Sequence, residues 1–92
     1  MDKILTTLGL AYRAKKAVLG EEVLNKISKV KLLFIASDIS AKSRERFENK
    51  CFHYQIAHID EYSAEELSQA LGKNNVRVIG ITDEGFKDAL LK

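Results

Sequence analysis

Arg13, Lys15 and Lys16 form a basic cluster that leads through a short apolar step, Ala17–Leu19, to Gly20. Glu21, Glu22, Val23, Leu24, Asn25 and Lys26 follow, and a second helix is expected from about Glu21 to Ser28. The first turn of a helix carries backbone N–H groups without partners inside the helix, and the helix dipole favours an anion there. Cations beside such a start make a landing site for phosphate. Lys29 and Lys31 extend the basic set, and Lys26 and Lys29, three apart on one helix, share a face. The same residues also describe a capped surface helix beside a solvated loop.

Three carboxylates offer a different chemistry. Asp38, Asp60 and Asp83 each follow a strand-like apolar segment. In open α/β sheets ligands bind beyond the carboxyl ends of the strands, and carboxylates converging there hold Mg²⁺ for phosphoryl transfer. Each acid also precedes a helix, where Asp, Ser and Thr cap free N–H groups. Ser63-Ala64-Glu65-Glu66 is a capping box, and Ser40 and Thr82 stand where they cap the helices that follow. No lysine or strained nucleophile accompanies the three acids, and the glycines form no nucleotide loop. His53 and His58, with the single cysteine Cys51, lack zinc-ligand spacing. Cys51 lies on an apolar helix stripe and reads as core. No catalytic residue, metal or cofactor is expected.

These residues are held by a regular alternation. A first helix runs from Lys3 to Tyr12, with Gly9 inside it where a close neighbour is expected. Leu32–Ala36 is an apolar run of the kind buried on both faces of a sheet. A helix from Ala41 to Tyr54 follows, with Phe47, Cys51 and Tyr54 inward. Then come a strand at Ile56–Ile59, a helix at Ala64–Leu71 ended by Gly72, a strand at Val76–Ile81 and a helix at Glu84–Leu91. Strands alternating with helices predict parallel strands, right-handed crossovers and an α/β/α sandwich, with Ala17–Leu19 as an added edge strand. Lys73, Asn74 and Asn75 make a donor-rich loop before the last strand, and exposed Asn side chains read base edges. Tyr62 serves either to stack on a base or to staple the helix that follows it.

Ninety-two residues make one domain, 1–92, with a core too small for a large buried active site. No apolar run approaches the roughly 20 residues needed to span a bilayer, and no signal-peptide pattern is present. A lone cysteine fits a reducing compartment, so a cytoplasmic protein is expected. The net charge of +2 is unevenly placed: residues 1–50 carry 11 Lys/Arg against 6 Asp/Glu, and residues 51–92 carry 4 against 7. A basic face of this kind suits a polyanion.

In order and spacing, a set of segments resembles one family. They are Leu8-Gly-Leu-Ala-Tyr-Arg-Ala-Lys-Lys-Ala-Val-Leu-Gly20, Phe34-Ile-Ala-Ser-Asp38, Lys50-Cys51, Ser63-Ala-Glu-Glu-Leu67, Ala70-Leu-Gly72-Lys and Ile81-Thr-Asp-Glu-Gly-Phe86. The family is the ribosomal seven-Ae / thirty-e group of kink-turn RNA-binding proteins, in particular its bacterial YlxQ-type branch. The resemblance implies a three-layer α/β/α sandwich with a four-stranded mixed sheet, and RNA binding without catalysis. It implies contact through Lys15, Lys16, Gly20, Glu21, Glu22 and Lys26, through Asp38, and through Lys73, Asn74 and Asn75. The implied partner is structured RNA, kink-turn-like and ribosomal or otherwise tied to translation, bound by a monomer. Kink-turn readers typically carry Gly-x-Asn-Glu-x-x-Lys; here Gly20 and Lys26 are kept, while Glu22 and Val23 replace the Asn and Glu. A carboxylate only accepts hydrogen bonds, whereas an amide both donates and accepts. Ser68 stands where relatives often have Gly, and Ala64 where they often have Lys. Two other readings stand beside this one: a protein-interaction module on the same fold, and a small Mg²⁺-dependent phosphoryl-transfer enzyme using Asp38, Asp60 and Asp83.

Overall fold

The computed structural model describes Asp2–Leu91. Helix α1 (Lys3–Arg13) opens on Asp2, whose carboxylate accepts the Ile4 N–H at 2.7 Å and the Tyr62 hydroxyl at 2.9 Å. Those bonds, the backbone one foremost, hold the Asp2 carboxyl below its ordinary value. Burial, with Asp2 second, pushes the Tyr62 phenol up to about 12. Tyr62 is therefore a buried tie between chain segments, and its ring is not free to stack on a base.

Strand β1 (Ala17–Leu19) leads to α2 (Glu21–Asn25), a 3-10 turn (Ile27–Lys29) and β2 (Leu32–Ile35). Then follow α3 (Ala41–Tyr54), β3 (Ala57–Ile59), α4 (Ala64–Leu71), β4 (Val78–Ile81) and α5 (Glu84–Leu91). The helix expected over Glu21–Ser28 is thus broken at Lys26. The tighter turn after the break buries Ile27 and Val30 beside Val23 before the chain enters β2. Lys26 and Lys29 consequently do not share one regular helix.

The sheet order is β1-β4-β2-β3; β2 and β3 are parallel, while β4 runs antiparallel to both its neighbours. This corrects the all-parallel expectation and agrees with the mixed sheet that the resemblance implies. The cause lies in α4. Its first N–H, on Ala64, is held by Asp38 just beyond β2, and its Ser68 hydroxyl is held by Val76 just before β4. The helix therefore stays at one end of the sheet instead of carrying the chain back to the other. The next strand must enter from that end, against the direction of β2.

Alternation along the strands feeds two cores. Leu32, Phe34, Ile79 and Ile81 pack with Leu8, Ala11, Leu67, Leu71 and Leu90 beneath α1, α4 and α5. Leu33, Ile35 and Val78 pack with Val18, Val23, Ile27, Phe47 and Cys51 beneath α2 and α3. The result is a three-layer α/β/α sandwich. Tyr54, expected to point inward, is 43% exposed, because α3 ends there in a left-handed turn at Gln55.

Gly9 is buried inside α1 against α4, and a Cβ built on it lies 2.7 Å from the Ala70 carbonyl oxygen. A backbone carbonyl cannot swing aside as a side chain can. Gly9→Ala, a substitution that favours an exposed helix by about 1 kcal/mol, is expected here to destabilise the protein by about 1–3 kcal/mol. A lower urea midpoint at unchanged slope is the readout; an unchanged or raised midpoint contradicts the close approach.

Candidate nucleic-acid interface

The reversal of β4 decides which candidate residues meet. Arg77 and Val78 enter the sheet beside the exit of β2, where the Ala36 N–H donates to the Arg77 carbonyl at 2.8 Å. On the other side the Gly20 N–H donates to the Val78 carbonyl at 3.1 Å. The start of α2, the turn holding Asp38 and the loop Lys73–Asn75 therefore gather at one end of the sheet. Asp83 leaves β4 at the opposite end, since Ile81 pairs with Leu32 at the entrance of β2. The three acids of the enzyme hypothesis do not converge.

Each acid has another task. Asp38 accepts the Ala64 N–H at 2.9 Å, and Asp83 accepts the Phe86 N–H at 3.0 Å, so both cap helices. Thr82, expected to cap α5, instead donates its hydroxyl to the Lys16 carbonyl at 3.2 Å. Asp60 caps nothing; it pairs with Arg44 at 2.9 Å. Glu48, His58 and Asp60 bring potential ligand atoms within 4.8 Å of one another, a grouping that sequence spacing does not reveal. The Arg44 guanidinium already lies 2.9 Å from Asp60 and 3.8 Å from Glu48, so a cation of the chain itself balances these carboxylates. Cys51 is buried, and desolvation, with Glu48 second, pushes its thiol up to about 11; it is packing, not a nucleophile.

Gly20 turns the chain from β1 into α2 at φ 56°, ψ −131°, a conformation that side chains with a Cβ resist. Val23 is fully buried, and its methyl group lies 3.4 Å from where a Cβ on Gly80 would stand. Gly80 thus leaves a bare patch of sheet on which Val18, Val23 and Val30 seat α2. With Val23 pointing inward, Glu21, Glu22 and Lys26 are exposed. Glu22 pairs with Lys26 at 3.2 Å, and Glu21 pairs with Arg46 of α3 through two bonds of 3.2 and 2.9 Å. Both acids at the helix start therefore carry a cation beside them.

Lys15 and Lys16 stand apart from Gly20. They sit at the far end of β1, roughly 13 Å away along an extended strand. Lys15 closes α1 at φ 62°, a left-handed position unusual for a residue with a side chain, and the Lys16 N–H returns to the Ala11 carbonyl at 2.9 Å. An open groove along the β1 edge joins the two ends, lined by Tyr12, Arg13, Lys15, Glu22 and Lys26. Lys16 lies outside its lining. Tyr12 belongs to both parts of the surface, because Lys73 places its ammonium 5.6 Å from the Tyr12 ring centre. Tyr12 was not singled out from sequence, where it reads only as a helix-face aromatic.

Ser68, which the sequence marks only as a departure from the family's glycine, has a structural task here. Its buried hydroxyl accepts the Val76 N–H at 2.8 Å and donates to the Ala64 carbonyl at 2.7 Å. It pins the loop Lys73–Asn75 from below. Gly72 and Asn75 both adopt left-handed backbone, and the Lys73 N–H closes α4 on the Ser68 carbonyl at 3.0 Å. The loop is thus built from caps and turns, with Lys73, Asn74 and Asn75 exposed above it. Ser68→Ala strands the Val76 N–H and is expected to cost about 1–3 kcal/mol, with faster hydrogen exchange at Val76. Unchanged exchange there contradicts the anchor.

Comparison with known proteins agrees with this geometry. Residues 2–91 match the model of the Ribosomal protein L7Ae/L30e/S12e/Gadd45 family. The RNA-binding protein YlxQ of Enterococcus faecium is 33% identical over 88 residues, covering 92% of this chain and 84% of that protein. The RNA-binding protein YlxQ of Bacillus subtilis (strain 168) is 32% identical over 87 residues, covering 91% and 87%. A solved Bacillus halodurans protein of unknown function superposes with a TM-score of 0.94 at 33% identity, over 99% of this chain and 95% of that one. A 15.5 kDa RNA-binding protein of Giardia lamblia shares the fold, with a TM-score of 0.79 at 16% identity over 99% of this chain and 84% of that one. The chain belongs to the Ribosomal protein L7Ae/L30e/S12e/Gadd45 family.

Proposed function

We propose that residues 1–92 form a single non-catalytic RNA-binding domain that grips structured, kink-turn-like RNA. It would work as a cytoplasmic monomer associated with the ribosome or the translation apparatus. RNA binding is supported by membership of the family and by two relatives named RNA-binding proteins across most of their length. The observation that carries the site is the meeting of the α2 start, the Asp38 turn and the Lys73–Asn75 loop at one sheet end. Lys26 and Lys73 flank that end, and Lys15 and Arg13 continue it along the groove.

The parts divide the work by their chemistry. Lys15, Lys16, Lys26 and Lys73 hold phosphates, because their charge is exposed and mobile. The backbone at Gly20–Glu22, Asp38 and the left-handed loop at Asn75 set the shape that a bent RNA must fit. Asn74 and Asn75 offer amides to base edges. Among the described residues no helix is long and apolar enough to cross a membrane.

Gel shifts over a salt series, with a kink-turn RNA and a plain duplex, test the reading. Contact with about four to six phosphates gives a log K against log salt slope on the order of −3 to −5, and preference for the kinked RNA. Lys26→Gln and Lys73→Gln should each make that slope shallower by about 1. Equal affinity for both RNAs removes kink-turn recognition, and variants without effect remove these lysines. Glu22 gives a separate prediction. Relieved of a negative charge and of its tether on Lys26, Glu22→Gln should tighten RNA binding by about twofold to fivefold, the scale of an exposed ion pair. Weaker binding by this variant would show instead that the carboxylate itself accepts from a base.

A further inference from the structure

Helix α3 carries a second ordered set of cations that the site above does not use. Lys42, Arg46 and Lys50 recur every fourth residue, and all three are exposed. The three form one stripe about 12 Å long with a cation roughly every 6 Å. The flank on which it lies is settled by contacts. Arg46 reaches Glu21 at the start of α2, and α3 packs beside the turn Ile27–Lys29. On the other flank Glu48 faces His58 of β3 at 3.8 Å and Arg44 pairs with Asp60. The row of Lys42, Arg46 and Lys50 thus lies toward α2, bordered by the exposed Glu45, while Arg44 and Glu48 are engaged on the β3 side.

Two features make the stripe available. Lys42 and Lys50 have no ion-pair partner among the described residues. Arg46 is held by Glu21, but that pair is exposed on both sides, so an incoming phosphate competes with a solvated carboxylate. Lys26 and Lys29, also exposed, lie on the segment between the stripe and the groove along β1. The stripe and the groove are therefore neighbours, with Glu21 and Glu22, each paired to a cation, between them.

We propose that the α3 stripe is a second phosphate-binding surface, which holds the backbone of RNA flanking the part gripped at the α2 start. The inference rests on the RNA-binding reading above. A line of evenly spaced, exposed cations selects a polyanion by charge, so it adds affinity and orientation more than sequence preference. It follows that a flanking stem contributes to binding and that its contribution is salt-dependent.

The test uses the full chain and two probes with the same kink-turn core, one with a long flanking stem and one with that stem cut short. The variant is Lys42→Gln with Lys50→Gln, checked by circular dichroism for an unchanged fold. On the long RNA the salt slope is expected to become shallower by about 1.5–2, and affinity at moderate salt to fall several-fold. On the short RNA both should match the unsubstituted chain. No change on either RNA, with Lys26→Gln still weakening both, overturns the second surface and leaves the RNA-binding reading standing. An equal loss on both RNAs also overturns it, since the lysines then serve the core. Failure of the unsubstituted chain to bind either RNA overturns the underlying reading itself.

Discussion

The reversed direction of β4 is the constraint from which the rest of this surface follows. The strand is central in the sheet and bonded on both edges, to β1 and to β2, in antiparallel register. Its entrance therefore meets the exits of both neighbours. That single fact brings Gly20, Ala36 and Arg77 to one place through two backbone hydrogen bonds. It also sends Asp83 to the far end, away from Asp38. A parallel β4 would do the reverse, giving three carboxylates in one cleft and a scattered basic surface. The direction of one strand thus decides whether the acids or the basic segments are brought together.

Seating α2 against that strand needs room, and Gly80 supplies it. Three valine methyl groups stand within 3.4 Å of the space a Cβ would take there. Burying Val23 in this spot fixes the rotation of α2 about its axis. Rotation in turn decides which residues meet solvent, so Glu22 and Lys26 face outward as a pair. In family members with Asn and Glu at these two positions, base-reading groups occupy the place of Glu22 and Val23. Here the second of them has become a core contact. What the helix start retains is its glycine turn, its lysine and its free N–H groups, a chemistry that suits shape and phosphate more than base identity.

Elements bounded by local chemistry were legible in the sequence. The bounds of α3, α4 and α5 fall where Ser40, the Ser63–Glu66 box, Gly72 and Glu84 place them. The apolar run at Leu32–Ile35 is buried throughout, and Gly9 does mark a close approach. Strand direction was not legible from the alternating pattern, because it depends on where α4 leaves the chain, and that is fixed by contacts of Ala64 and Ser68 with residues far along the sequence. The break at Lys26 escaped for a similar reason: Ile27 and Val30 continue a helical pattern but are drawn down onto the sheet. Tyr62 looked like a candidate for stacking until its hydroxyl found Asp2, sixty residues away. Among the candidate site residues, Gly20, Lys26 and Lys73–Asn75 were placed by motif and loop chemistry. The roles of Tyr12 and Ser68 and the Arg46–Glu21 link emerge only when the elements are set side by side.

A net charge of only +2 is by itself a poor match for a polyanion, yet net charge is the wrong measure. What matters is which charges remain uncompensated at the surface. Asp2, Asp38, Glu66 and Asp83 each bond to backbone N–H groups at or beside helix starts, where the helix dipole partly offsets a negative charge. Asp60 and Glu21 are matched by arginines. Lys26, Lys31 and Lys87 pair with glutamates, whereas Lys42 and Lys50 pair with nothing among the described residues and Lys73 lies over a ring. The acids that hold the helices in place are ones whose fields are partly offset, so the unpaired lysines take a larger share of the exposed charge than the net value suggests.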